Sequence, residues 1–311
     1  MKTLTSRAYE NQQDYEQMLN LLMEARSLTS DWRYAHVGEL AFSYFNVFIH
    51  LDAQQHIRLW HDHGKMVGYA ILGEDPALDW QLHPEYEWSG IEEQALDWAE
   101  ARVEQLRQQD GETWGGDLVS GSRQDDPRRI AFLGSHGFKY CGEFAEVNML
   151  RSLAEPIPEP KVPQGFVVRE FAGLSELANR ASIQREVWQP WTVGNVSDKD
   201  YACFMQLPNY RRDLDIVTVA PDGTIAAYVN GWIDPVNKIG DLGPLGALEA
   251  YRNRGLTRAA IYECLRRMRT YGMDRVCVST GFSNEPAQNL YRSVGFEIVN
   301  CYLDYTKKNI Q

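Results

Sequence analysis

Two short runs, set in a fixed order toward the C-terminal end, constrain this chain more than any other feature. The first, Tyr251-Arg252-Asn253-Arg254-Gly255-Leu256-Thr257-Arg258, opens a segment whose apolar residues Leu256, Ala260, Ile261, Cys264, Leu265 and Met268 line one face of a helix. A helix that starts this way points its free backbone N–H groups at whatever occupies the preceding turn. Gly255 lets a ligand approach the backbone closely, and Arg252, Arg254 and Arg258 bring positive charge, so the turn suits a pyrophosphate. The second run, Asn284-Glu285-Pro286-Ala287-Gln288-Asn289-Leu290-Tyr291-Arg292-Ser293-Val294-Gly295-Phe296, follows an apolar strand, Val276-Cys277-Val278-Ser279-Thr280, and reads as another helix.

Arg252-x-x-Gly255-x-Thr257 resembles the Arg/Gln-x-x-Gly-x-Gly/Ala signature of the GCN5-related N-acetyltransferases, and Asn284-x-x-Ala287-x-x-Leu290-Tyr291-x-x-x-Gly295-Phe296 resembles their second signature. Thr257 departs from the preferred Gly or Ala, and its hydroxyl can donate to a phosphate oxygen instead. The resemblance implies acetyl-CoA as the donor. Its site would comprise Arg252, Asn253, Arg254, Gly255, Leu256, Thr257 and Arg258, together with Asn284, Ala287 and Asn289. It further implies that Leu245, Gly246 and Ala247 lie where one strand splays from its neighbour and holds the pantetheine arm, with the Ala247 N–H polarising the acetyl carbonyl. Gly243 and Gly246 suit a strand that a ligand approaches closely.

Tyr291 stands at the family's general-acid position, although beside Leu290 it also fits as a core aromatic. Asp241, upstream of Leu245, is either the base that deprotonates the amine or a turn residue between Gly240 and Gly243. Trp188 and Trp191, in a Trp-Gln-Pro-Trp loop, are expected on the acceptor wall, whereas core packing explains Trp232. All seven histidines fall in the first half, so a histidine could reach this site only from across an interface.

The chain has 311 residues, about twice the ~150 of a typical domain. Residues 153–165 hold four of the thirteen prolines and read as an extended connector. The order of elements repeats on either side. Phe166–Phe171 as a strand, a helix from Leu174 to Val187 and a hairpin turning at Pro221-Asp222-Gly223 match Leu4–Tyr9, Tyr15–Leu28 and a hairpin turning at Asp62-His63-Gly64-Lys65. Leu82–Glu92 aligns with the phosphate run at an offset of 165, and Asp126–Phe138 aligns with the second run at an offset of 158.

We therefore expect an α/β (α+β) chain of two tandem acyl-CoA N-acyltransferase domains, each a mixed, mostly antiparallel six- to seven-stranded sheet with flanking helices. Residues 1–152 would form a degenerate copy, 153–165 the linker and 166–311 the catalytic copy. Glu87 and Glu92 stand where Arg252 and Thr257 stand in the second copy, placing carboxylates where a diphosphate would lie, and Leu133 replaces Tyr291. The first copy should keep the fold, lose the cofactor and help form the acceptor groove. In plan the chain is similar to the tandem mycothiol synthase branch of the family.

A net charge of −12 argues against nucleic-acid and anionic-membrane partners and suits a cationic acceptor. No stretch is apolar enough for a membrane span and the start lacks a signal peptide's apolar core, so a cytoplasmic protein is expected, as a monomer or homodimer. Cys141, Cys203, Cys264, Cys277 and Cys301 are odd in number, lie in apolar surroundings and read as reduced core residues. His61-x-His63 flanks a turn, so no metal is expected. The function expected is transfer of an acetyl group to a small-molecule amine by direct attack. A non-catalytic acyl-CoA-binding sensor is the alternative, which retention of Tyr291 disfavours. No glycine-rich nucleotide motif occurs.

Overall fold

A computed structural model describes residues 3–29 and 33–308. The first half runs β1 (Leu4–Ala8), α1 (Gln12–Thr29), α2 (Val37–Ser43), α3 (Ala53–His56), β2 (Ile57–Asp62), β3 (Lys65–Gly73), β4 (Ala77–Leu82), α4 (Ile91–Gln109), α5 (Gly111–Trp114), β5 (Leu118–Arg123), α6 (Pro127–Ser135) and β6 (Lys139–Ser152). The second runs β7 (Val167–Glu170), α7 (Leu177–Trp188), α8 (Asp198–Phe204), β8 (Asp215–Val219), β9 (Ile225–Asp234), β10 (Ile239–Ala247), α9 (Leu256–Thr270), β11 (Arg275–Gly281), α10 (Glu285–Ser293) and β12 (Glu297–Lys307). Apart from the short α3 and α5, the two lists have the same order.

All strands join one 12-stranded sheet in the order β1-β2-β3-β4-β5-β12-β6-β11-β10-β9-β8-β7. The halves have exchanged their last strands. β6 pairs antiparallel with β11, from Ser152 opposite Arg275 to Glu146 opposite Gly281, while β12 pairs antiparallel with β5, from Tyr302 opposite Arg123 to Lys307 opposite Leu118. Val147 and Met149 of β6 thus sit in the core of the second half with Val276, Val278 and Phe296, and Tyr305 of β12 sits in that of the first. The proline-rich connector is laid along the second half: Ile157 is buried, and Arg266 pairs with Glu159 at 2.6 Å.

The two parallel pairings are the ones that open. β10 follows β11 only from Ile239 to Asp241, although β10 continues to Ala247 and β11 to Gly281, and β4 follows β5 only at Ala77 and Leu78. Each half therefore carries a sheet split into a V. Helix α2 crosses from the first half onto β9 and β10 of the second. Phe45, just beyond it, is wholly buried against Phe204, with ring centroids 4.2 Å apart, in a cluster shared with Phe171, Tyr201 and Trp232.

Candidate active site

The Arg252–Arg258 turn forms because two residues accept left-handed backbone. Asn253 has φ +62° and Gly255, the N-cap of α9, has φ +77°. No side chain caps α9 and its first turn carries no acid, so its leading N–H groups face outward. Arg252, Arg254 and Arg258 are exposed around them; Arg252 donates to the Ala247 carbonyl at 3.4 Å and Arg254 to that of Ala250 at 3.1 Å. Leu256 is buried and roots the turn, with its carbonyl accepting from Thr218, while Thr257 is half-buried. Outward amides and mobile guanidiniums without a resident carboxylate fit a pyrophosphate.

From Leu242 to Ala247 the edge of β10 toward β11 is unpaired, leaving backbone groups of Leu245, Gly246 and Ala247 for an extended ligand. A register shift between Leu242 and Leu245 deepens the opening. Gly246 serves a different close approach from the one the sequence suggests: a Cβ there would lie 2.2 Å from Val187 Cγ1, so it is α7 that needs the glycine. A Cβ on Gly243 would meet open space.

Asp241 is a strand residue at the apex of the split, and the turn reading fails because Ile239–Ala247 is continuous strand. Burial pushes its carboxyl up to about 6. Cys277 Sγ lies 3.5 Å from its Oδ1, and His36 Nδ1, from the first half, lies 3.8 Å from its Oδ2. Glu39 of α2 is exposed, and desolvation and then the charge of Asp241 raise its carboxyl above the ordinary range. Glu146 on β6 is also raised, by burial first and then by Asp304. Glu39 feels the charges of both Asp241 and Glu146, so carboxylates from the two halves lie close together.

Tyr291 lies on α10, whose start is set by Asn284 accepting from the Ala287 N–H at 3.3 Å. The ring is buried against Phe296, and the hydroxyl has no hydrogen-bond partner among the described residues. Burial, then the nearby Asp241 charge, raises the phenol well above its ordinary range, so it holds its proton at neutral pH. Ala287 is half-buried; Asn289 is exposed and accepts from Arg292 at 3.3 Å.

Trp188 is the last residue of α7 and not a loop residue, and its indole N–H donates to Tyr228 at 2.7 Å. It meets Phe42 of α2 edge-on at 5.9 Å and Trp191 at 6.3 Å, and Trp191 is 64% exposed. The helix is anchored by Arg180, wholly buried, which donates to Asp215 at 3.0 Å and to Asn230 at 2.5 Å. Trp232 is core, with its indole N–H on the Gly243 carbonyl.

The first half repeats the turn in detail. Trp88 has φ +60° and Gly90, the N-cap of α4, has φ +95°. Here Glu92, 1% exposed, turns back so that its Oε1 accepts the Trp88 N–H, while its Oε2 has no partner. Glu87 accepts from Tyr34 and lies 3.6 Å from Arg33. These groups line a cavity of about 130 Å³ with Trp80, Trp88, Arg128 and Arg129, whose guanidiniums lie over the two tryptophans.

His36, Asp241 and Cys277 bring three ligand-type atoms within 4.8 Å. Their hydrogen bonding suits a proton network better than a metal: both His36 nitrogens are engaged, and burial followed by the Asp241 charge keeps the Cys277 thiol protonated. His36, Gly38 and Glu39 were not legible as site residues, because no local pattern marks a helix that completes another domain's site. The cysteine reading needs correction. Only Cys264 and Cys277 are buried; Cys141 and Cys203 lie at the surface on β6 and α8, where their neighbours in sequence are not their neighbours in space. No helix of the described residues is long and apolar enough to cross a membrane.

Residues 180–296 match the model of the acetyltransferase (GNAT) family. A mycothiol acetyltransferase of Nocardia farcinica is 27% identical over 263 residues, covering 78% of this chain and 80% of its own, and one of Arthrobacter sp. is 23% identical over 257 residues, covering 78% and 75%. Among solved structures, a tandem GNAT protein from the clavulanic acid biosynthesis pathway superposes with TM-score 0.66 at 14% identity, covering 99% of this chain and all of that one. A GCN5-related N-acetyltransferase of Sphaerobacter thermophilus gives 0.63 at 21%, covering 98% and 95%. The split sheet, the uncapped glycine turn and the two signatures agree with these likenesses: the second half carries a domain of the acetyltransferase (GNAT) family, and the chain as a whole is similar to tandem members of that family.

Proposed function

We propose that the second half transfers an acetyl group from acetyl-CoA to the amine of a small cationic acceptor, and that the first half holds no cofactor. The observation that carries this reading is Asp241 at the apex of the split, its carboxyl held near 6 by burial, beside a phenol that keeps its proton. Acetyl-CoA supplies the thioester. The Arg252–Arg258 turn holds its diphosphate, and the open edge of β10 at Leu245–Ala247 aligns its arm. Asp241 takes the proton of the acceptor ammonium, directly or through a water. The Ala247 N–H donates to the acetyl oxygen as the amine attacks and the C–N bond forms. Tyr291 gives its proton to the departing sulfur as the C–S bond breaks, and the second proton lost by the attacking nitrogen restores the phenol, directly or through a water. Glu39 and Glu146 favour a cation in the groove, and Trp188 and Trp191 border it.

A thiol-release assay with acetyl-CoA across amino acids, polyamines, aminosugars and the acceptor of the mycothiol acetyltransferase reaction tests this. We expect turnover with at least one cationic amine. Tyr291→Phe should lower kcat by about 10²-fold with CoA affinity unchanged. Tight CoA binding without turnover on any amine would mark the chain as a sensor.

A further inference from the structure

A residue beside the Asp241 carboxylate comes from the other half of the chain. His36 is wholly buried, just ahead of α2, where the first half crosses onto β10. Its Nε2–H donates to the Ile239 carbonyl at 3.2 Å, on the same strand as Asp241, and its Nδ1 accepts the Gly38 N–H at 3.0 Å. Those two bonds assign the neutral ring with its proton on Nε2. A protonated ring would have to give up the Gly38 bond while shut off from solvent, and burial first, then the charge of Arg26, drives its pKa down to about 3.

Asp241 therefore lies 3.8 Å from a neutral ring nitrogen, whose lone pair is held by the Gly38 N–H, and not from an imidazolium. An imidazolium there would pair with the carboxylate and hold it ionised as a weak base. Gly38 closes the remaining side: a Cβ on it would lie 2.4 Å from Asp241 Oδ2 and 2.7 Å from Trp232 Cδ1. The other titratable groups facing Asp241 are Arg26 from α1, Glu39 from α2, Cys277 from β11 and Tyr291 from α10. Arg26 donates to the Tyr34 carbonyl.

We propose that His36 is a positioning residue for the catalytic carboxylate: clasped to Ile239 and Gly38, it fixes Asp241 beside a neutral ring, so the active centre of the second half is complete only when the first half is docked. This rests on the reading of Asp241 as the base. The alternative is that His36 only staples the halves together.

The test is the protonation midpoint of Asp241 in the full chain, read without turnover by carbon-13 NMR of labelled aspartate, with Asp241→Asn assigning the resonance. His36→Gln keeps a neutral donor near Ile239 but puts an amide where the lone pair was, and should lower the midpoint by about one pH unit. Asn209→Ala, which removes the 3.0 Å bond from Asn209 to the Val37 carbonyl, loosens the same interface and should leave the midpoint in place. If His36→Gln does not fold, His36→Asn is read in the same way. A midpoint within about 0.3 unit of wild type in the His36 variant, or an equal shift in both variants, overturns the proposal. Because no acceptor is needed, failure of the amine screen does not affect this result. Where the screen does return an acceptor, the acidic limb of kcat/KM should move with the midpoint.

Discussion

Asp241 and His36 bury opposite liabilities side by side. The folded-state pKa of Asp241 is raised, so its buried charge costs stability above about pH 6, and that cost fades as pH falls toward the unfolded value near 4. The folded-state pKa of His36 is depressed, so its contribution is present above about 6.5 and is lost as pH falls toward 3. The two slopes oppose each other between about pH 4 and 6, which hides each in the wild-type profile. Comparing Asp241→Asn with wild type separates them. The variant should be more stable by on the order of 1–3 kcal/mol at pH 8 and by little at pH 4, as read by thermal unfolding at both values, while losing turnover. A variant less stable than wild type at pH 8 would mean that the carboxylate is paired and not merely confined.

At the scale of elements, α4 and α9 begin on the same backbone device and end in different chemistry. Each starts at a left-handed glycine, with another left-handed residue two positions earlier. In α9 the N–H groups stay outward; in α4 the Glu92 carboxylate has already taken the place of an anion. We therefore expect calorimetric titration with CoA to give one site per chain, and Arg252→Glu to abolish it. A stoichiometry of two would show that Glu92 swings away. The glycine turns, the Asn284 cap and both tight hairpins are readable from local sequence, since each depends on a few adjacent dihedrals. The pairing of α7 with Gly246 is not, because the glycine's partner lies elsewhere in the chain.

For the whole molecule, the exchange of β6 and β12 sets what can be separated from what. Residues 160–311 lack β5 and β6, so β11 would present an unpaired edge, β12 would lose both of its neighbours and the core would lose Val147 and Met149. That fragment should aggregate and bind CoA poorly. Residues 137–311 restore the strand and should bind CoA, yet they lack His36 and Glu39 and should turn over slowly, as size-exclusion chromatography, calorimetry and the thiol assay would show. A monomeric 160–311 fragment with full CoA affinity would contradict the exchange.

By itself the sequence determined the order of elements in each half, the duplication, the glycine turn ahead of α9, the helix that carries Tyr291 and the carboxylates at Glu87 and Glu92 in the matching turn. All of these follow from periodicity, capping and residue type over short spans. The tertiary structure alone decided that the last strands trade places and that a helix from the first half packs onto the second, making His36 and Gly38 part of the Asp241 environment. The reason is physical: strand pairing and interface burial reward contacts between residues far apart in the chain, and several partners would satisfy the same local pattern. The choice among them rests on how the two whole surfaces fit.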